Sequence, residues 1–297
     1  MDRVLTIVTP KPGALTDAIV AEAGVALNGL GAKTAEPVWL SAGEAVDLPF
    51  TNLTNALAEG AARSVFDGRP VDMTSQTAEH RRKQLLLADM DSTIVTSESL
   101  DDLADFAGLK DQIAAITARA MKGELEFESA VKERVGMLTG MSEETLAAAF
   151  AELEYTAGAE TLVRTMTNNG ARCVLVSGGF KYFTSRVAAH CGFDEEHAND
   201  FIIKDGKLTG GIVEPIQNKD SKLAMLHHQI AALGLIPLET LAVGDGANDL
   251  PMIEAAGLGV AFHGKPVVSA AAPARIDHSG LTTLLFYQGY NRAEFVD

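Results

Sequence analysis

An α/β architecture follows from three features of the sequence. Apolar runs of strand length alternate with amphipathic segments, carboxylates stand where two of those runs stop, and glycines fill the turns. Such alternation argues for a parallel sheet covered by helices on both faces. A long helical stretch between the first two strands of this series reads as a cap inserted over a site. The residues in front of it read as a small, separate α+β unit.

The first unit covers residues 1 to about 80. Val4 to Val8 reads as a strand and Leu15 to Leu30 as an amphipathic helix stopped by Gly31. An extended stretch lies near Pro37 to Leu40, and a second helix runs from about Asn52 to Ala62. No cluster of His, Asp or Cys suggests chemistry there. The second unit, residues 83–297, opens with Leu85-Leu86-Leu87-Ala88, a buried strand. Ser97 to Asp102 then starts a helix with capping residues and early acids. Helical periodicity continues to about Leu153, interrupted at Gly123 and Gly140 and capped afresh at Ser142, so the cap occupies about 98–157. Helix Glu160 to Asn168, strand Arg172 to Val176 and helix Tyr182 to His190 follow. A hairpin from Phe201 to Val213 turns at Asp205-Gly206. Helix Ser221 to Leu233 and strands Thr240 to Val243 and Leu258 to Phe262 complete the pattern.

A chain of 297 residues that is 47% hydrophobic has room for about two domains with a large core. The net charge of −16 speaks against nucleic acid as a partner, because phosphate backbones are bound by basic patches. The one basic cluster, Arg81-Arg82-Lys83, reads as a solvated face at the junction of the two units. No apolar run reaches the ~18 residues needed to span a bilayer, and the N-terminus begins as a strand and not as a secretory signal. Cys173 and Cys191 read as buried free thiols. These features place the chain in the cytoplasm, with no membrane partner. The histidines are scattered and read as structural or surface residues.

The chemistry gathers in four segments. In Asp89-Met90-Asp91-Ser92-Thr93 two acids flank one residue at the end of a strand. Acids that close repel unless a cation sits between them or one keeps its proton. Alone, the run serves equally well as a polar turn. Val174-Leu175-Val176-Ser177-Gly178-Gly179 places a hydroxyl and an amide-rich turn at the next strand end. Lys222 stands in the first turn of its helix, where the dipole disfavours a cation. Leu241 to Asp249 puts Asp245 at a strand end and Asp249 at the start of the following helix, with glycines between. Hard oxygen ligands of this kind suit Mg²⁺ and not zinc. Such a cation beside carboxylates makes an acyl-phosphate route feasible.

In this order the segments resemble the four motifs of the haloacid dehalogenase superfamily of phosphotransferases. Asp89 to Thr93 followed by Glu98, the cap residues Met121, Phe127 and Arg134, and Asn218 to Lys222 resemble its phosphoserine phosphatases more narrowly. The resemblance covers residues 83 to about 290. It implies a Rossmann-like core and an Mg²⁺-dependent phosphatase that frees L-serine in the last step of serine biosynthesis. Asp89 is then the nucleophile and Asp91 the general acid and base. The side chains of Asp89 and Asp245 and the main-chain carbonyl of Asp91 hold the metal, while Asp249 orients a metal-bound water or Lys222. Ser177, Gly178, Asn248 and Lys222 hold the phosphate. Phosphoserine also carries an ammonium and a carboxylate, for which Glu98 and Arg134 supply opposite charges. Met121 and Phe127 wall the pocket. From position alone, Glu98 is an ordinary dipole partner and Arg134 a surface residue. Phosphohomoserine, phosphothreonine or phosphate transfer to another alcohol stand as alternatives, since a methylene alters affinity by only ~1–3 kcal/mol. The first unit resembles, in pattern only, a regulatory ACT-like domain. A homodimer is left open.

Overall fold

The computed structural model describes residues 2–121 and 124–297. Five strands form an antiparallel N-terminal sheet: β1 (Arg3–Val8), β2 (Lys33–Thr34), β3 (Val38–Ser41), β4 (Ala45–Thr51) and β5 (Asp72–Thr77). Their order is β2-β4-β1-β5, with β3 also paired to β4. Helices α1 (Asp17–Gly29) and α2 (Asn55–Val65) belong to this unit. Alternation along the strands sends Leu5, Ile7, Val46, Leu48, Phe50 and Met73 into one core with Ile19, Val20 and Ala58 of the helices. Val8 and Ala45 join the main core of the chain instead. The N-terminal sheet is therefore covered on both faces, and the second cover is the rest of the protein.

Two boundaries differ from those the sequence suggests, for local reasons. Thr16 caps α1 by accepting a hydrogen bond from Ile19 N–H, which starts the helix at Asp17. Asn52 sits in the left-handed region at φ 63°, and Thr54 caps α2, so that helix starts at Asn55. Strands β4 and β5 are not apparent in the sequence, because Asp47, Pro49, Asp72 and their hydroxyl-bearing neighbours read as turn residues.

From residue 85 onward the chain is α/β. Strand β6 (Leu85–Ala88) leads into the helices α3 (Ser99–Phe106), α4 (Lys110–Met121), α5 (Phe127–Met137) and α6 (Glu143–Ala151). Then come α7 (Ala159–Asn168), β7 (Arg172–Phe180), α8 (Lys181–Cys191) and β8 (Glu195–Asn199). The hairpin β9 (Phe201–Lys204) and β10 (Lys207–Ile212) turns through Asp205 and Gly206, at φ 52° and 70°. Helix α9 (Lys219–Leu233), β11 (Thr240–Gly244), α10 (Leu250–Ala255), β12 (Leu258–Phe262), α11 (Pro266–Ala271), β13 (Ala274–Ile276) and α12 (Thr283–Tyr287) complete the chain. Six of these strands form one parallel sheet in the order β13-β12-β11-β6-β7-β8. Every residue of β6, β11 and β12 is buried, as strands covered on both faces must be.

The connectivity reverses between β6 and β11. Strands β6, β7 and β8 build toward one edge, and β11, β12 and β13 toward the other. Parallel sheets bind their ligands outside the carboxyl ends of the strands at such a reversal. Among the described residues no helix is long and apolar enough to cross a membrane. Cys173 and Cys191 are free and buried.

The basic triplet is not the solvated face that the sequence suggests. Arg81 Nη2 donates to Asp47 Oδ1 at 2.6 Å, to Thr6 Oγ1 at 2.7 Å and to Phe286 O at 3.1 Å. Its Nε donates to Tyr287 O at 2.9 Å. Lys83 is buried, donates to His80 O and Leu238 O, and is pulled down to about 8 by burial. Of the three, only Arg82 keeps a substantially exposed side chain. A guanidinium satisfied by the N-terminal sheet on one side and by carbonyls of α12 on the other holds the two together, whereas a solvated one would be worth little. Arg81→Met leaves Asp47 buried without its partner and is expected to lose about 3 kcal/mol of stability. Urea unfolding reads this directly, and a loss below ~1 kcal/mol would be that of an exposed pair.

Candidate active site

The turn after β6 assembles the first part of the site. Asp89 N–H donates to Val243 O of β11 at 3.0 Å, which ties the end of one strand to its neighbour. Ser92 takes a left-handed φ of 54°, and Ser92 N–H donates to Ser97 O at 3.0 Å, so the chain folds back within a few residues. Asp89 and Asp91 consequently emerge at the same end of the sheet.

Lys222 reaches Asp89 from the first turns of α9. Asn218 caps α9 in a reciprocal arrangement with Ser221, which fixes the first turn and with it the lysine. Lys222 Nζ donates to Asp89 Oδ1 at 2.6 Å and to Asp249 Oδ1 at 2.5 Å, and all three side chains are buried. Asp249 is held in turn by Gly246 N–H, 3.0 Å from Oδ2. Gly244 must lack a side chain here, since a Cβ would stand 2.5 Å from the Asp249 carboxyl carbon.

Asp91 is engaged differently. Its Oδ1 accepts from Ser99 N–H at 2.9 Å, at the start of α3, and its Oδ2 accepts from Ser177 Oγ at 3.3 Å. The Ser-Gly-Gly segment is not the turn expected from sequence. The backbone stays extended to Phe180, and the pairing of β7 with β8 shifts register between Val176 and Phe180. Asn199 Nδ2 donates to Gly178 O at 2.8 Å and anchors this irregular strand end. A Cβ on Gly179 would lie 2.8 Å from Asp91 Oδ2.

Burial and the charge of Asp249 push the Asp89 carboxyl well above the usual range, against the pull of Lys222. Burial, and then Glu98, push Asp91 up to about 6. For Lys222 burial opposes the charge, but Asp249 and Asp89 outweigh it and raise its pKa. The site holds more negative charge than its lysine can balance. Oxygens of Asp89, Asp245 and Asp249 lie within 4.8 Å of one another, a set that fits a hard divalent cation. The carboxylate of Asp91 is not in that group, nor is any histidine among the described residues.

A cavity of about 150 Å³ opens above these groups and includes Asp89, Asp91, Asp245, Ser177, Gly178 and Asn248. Asn248 Nδ2 also donates to Asp249 Oδ1 at 3.3 Å. Glu98 and Arg134 stand in the same cavity. Glu98 accepts from Ser92 Oγ at 3.1 Å, while the buried Nε of Arg134 has no partner among the described residues. Met121 ends α4 and Phe127 begins α5, but their side chains lie outside the described residues.

Four lining residues are not singled out by the sequence. Leu100, Val131 and Phe180 supply apolar wall, and Lys265 places its Nζ 3.0 Å from Asp245 and 3.7 Å from Glu98. Val131 lies three residues before Arg134, on the same helix face. Lys265 follows the strand Leu258 to Phe262, so the rule that ligands meet strand ends could have found it.

A haloacid dehalogenase-like hydrolase family model matches residues 86–254. The chain belongs to this family of hydrolases. A phosphoserine phosphatase of Streptomyces coelicolor is 39% identical over 242 residues, 82% of this chain and 58% of that one. A phosphoserine phosphatase of Streptococcus thermophilus is 43% identical over 199 residues, 67% of this chain and 93% of that one. The crystal structure of a hydrolase of the same family from Salmonella enterica, t0658, superposes with a TM-score of 0.82. It is 28% identical, and the match covers 96% of this chain and 98% of that one. The chain thus spans little more than half the length of the Streptomyces relative.

Replacing Lys222 by Met strands Asp89 and Asp249 against each other and is expected to cost about 3 kcal/mol. A saturating divalent cation such as Mn²⁺ should restore part of that loss by binding only the folded state. Thermal unfolding with and without the cation checks both. A melting temperature indifferent to the cation, in this variant and in the parent, would argue against a metal site.

Proposed function

We propose that the chain is a phosphoserine phosphatase, hydrolysing O-phospho-L-serine to L-serine and phosphate with Mg²⁺ as cofactor, in the cytoplasm. Residues 83–297 carry the reaction in this reading, with residues 98–157 as the cap. The observation that carries the reading is the pairing of chemistry and charge in one small cavity. Buried carboxylates that suit phosphoryl transfer share about 150 Å³ with the anion Glu98 and the guanidinium of Arg134, whose buried Nε has no partner among the described residues. A cavity of this size suits a small monoester better than a drug-sized ligand, which needs roughly 300 Å³ or more.

Asp89 attacks phosphorus to form an aspartyl-phosphate while the seryl oxygen leaves. Asp91, pushed up to about 6, keeps a proton available near neutral pH and gives it to that oxygen. Water then attacks the aspartyl-phosphate, Asp91 takes its proton, and Asp89 is regenerated with release of phosphate. Lys222, Ser177, Asn248 and the Gly178 N–H hold the phosphate oxygens through both steps, since phosphoryl transfer depends chiefly on positioning and charge stabilisation. Mg²⁺, held by Asp89, Asp245 and the main-chain carbonyl of Asp91, would neutralise charge on the phosphate when bound. Asp249 keeps Lys222 in place. Glu98 takes the substrate ammonium, and Arg134 takes the carboxylate, which gives its buried Nε–H an acceptor.

Phosphate release from phosphoserine, phosphothreonine, phosphohomoserine and phosphoethanolamine tests the substrate. The expected result is a preference for phosphoserine that chelator abolishes and Mg²⁺ restores. Arg134→Lys should lower kcat/KM for phosphoserine by about 10-fold or more and leave phosphoethanolamine, which has no carboxylate, nearly unaffected. Equal losses on both would remove Arg134 from substrate recognition. Asp89→Asn should fold and lack turnover, and residual turnover near the parent rate would end the covalent route.

A further inference from the structure

Strand β5 belongs to the N-terminal sheet, yet its first residue acts on the far side of the interface. Asp72 is buried, at 2% exposure, and three consecutive backbone N–H groups converge on its carboxylate. Asp277 N–H donates to Oδ1 at 2.7 Å, Ser279 N–H donates to Oδ2 at 2.8 Å, and His278 N–H is shared between them at 3.3 Å. Successive amides arranged in this way make a concave anion receptor, and a charged acceptor strengthens each bond. The N-terminal sheet supplies the anion.

The segment held in this way touches two parts of the site's scaffold. His263 Nε2–H donates to Ser279 O at 3.1 Å, and His263 itself is forced to a left-handed φ of 43°. Two residues on, Lys265 N–H donates to Asp245 O at 2.9 Å, and its ammonium pairs with the same aspartate. In the other direction, Leu281 N–H donates to Ala157 O at 2.9 Å, where the chain returns from the cap. The fit there is close. A Cβ on Gly280 would stand 2.7 Å from Ala157 O, and one on Gly158 would stand 2.7 Å from Thr282 Cγ2. The outgoing and returning chains of the cap are joined beside this contact, by Thr156 N–H to Ile94 O and Thr96 N–H to Glu154 O, each at 3.0 Å.

We propose that Asp72 is a positioning residue for the active site. Through residues 277–282 it fixes both the root of the cap and the loop that carries Lys265, so the N-terminal unit sets the geometry in which the cap meets the core. This rests on the reading of the cavity as a site that turns over a phosphate ester beneath the cap. A merely structural Asp72 would add stability and nothing else.

The test uses the full chain in four forms: parent, Asp72→Ala, Asp72→Asn and Asn55→Ala. Asn55 accepts hydrogen bonds from Arg3 and Ser75 inside the N-terminal unit and, among the described residues, its side chain makes no hydrogen bond to residues 277–282, so it serves as a stability control. kcat and KM are measured for phosphoserine and for p-nitrophenyl phosphate, well below each melting temperature. Hydrogen exchange is followed at residues 92–97, 154–158 and 262–266. Asp72→Ala should lower kcat about 10-fold with a smaller change in KM, as a displaced catalytic geometry does, and should speed exchange at all three segments. Asp72→Asn, which keeps one acceptor oxygen, should fall between that variant and the parent. Asn55→Ala should lower the melting temperature and leave kcat and those exchange rates unchanged. Parental kcat and exchange in both Asp72 variants would overturn the proposal, and so would an Asn55→Ala variant that reproduces their losses. Should Asp72→Ala not fold, Asp72→Asn carries the comparison. If the parent turns over neither ester, the proposed function fails separately, and the exchange rates alone decide the role of Asp72.

Discussion

The ammonium of Lys222, buried between Asp89 and Asp249, is the constraint from which the site is built. A cation in the first turn of a helix opposes the dipole, and burying it costs several kcal/mol more. Two carboxylates within hydrogen-bonding distance offset that cost, and each needs the lysine as much as it needs them. The triad still carries a formal net negative charge, while Asp245 beside it is paired with Lys265. Hydrogen bonds from Gly246 and the lysine hold Asp249 fully buried without neutralising the group. That excess leaves a three-aspartate set that fits a hard divalent cation.

Topology supplies the rest. Because the strand order reverses at β6 and β11, their carboxyl ends lie side by side with no crossover above them. Asp89 and Asp245 follow those ends directly, and the bond from Asp89 N–H to Val243 O fixes their spacing. Strand β7 brings Ser177 from one flank, and the loop after β12 brings Lys265 from the other. Helix α5 contributes Arg134. Most groups that touch the cavity therefore come from a strand end, the turn just after one, or a helix, so rigid elements set their mutual positions.

Much of this was legible in the sequence, and the reasons differ by residue. Asp89 and Asp245 each follow an uninterrupted apolar run, so periodicity marks the strand and the acid marks its end. Lys222 was visible as an anomaly, a cation where the helix dipole disfavours one. Ser99 carries no such mark, and Lys265 only the weak one of following a strand. Ser99 acts through its backbone N–H, which any residue has, and Lys265 is one lysine after one strand among several. The glycine segment after Val176 was read as a turn, because sequence does not show that a strand can shift register and continue. Strands β4 and β5 and the burial of Arg81 were hidden for one shared reason. Their acids and hydroxyls face a second folded surface, so the expected polar-outward alternation becomes polar-toward-partner, and the residues look like loop.

Buried acids in this protein fall into two sets that sequence cannot separate. Asp47 and Asp72 are saturated: Arg81 and Thr6 occupy the first, and three backbone amides occupy the second. Asp89 and Asp245 each give one oxygen to a lysine, and among the described residues their second oxygen has no partner. A saturated carboxylate such as Asp47 or Asp72 acts only through the groups that it holds. An unsaturated one keeps its desolvation penalty until a cation or substrate arrives, so its burial favours binding. Composition and spacing report where the acids are, but not how many donors reach each one. That count separates the two roles, and it depends on elements far apart in the chain.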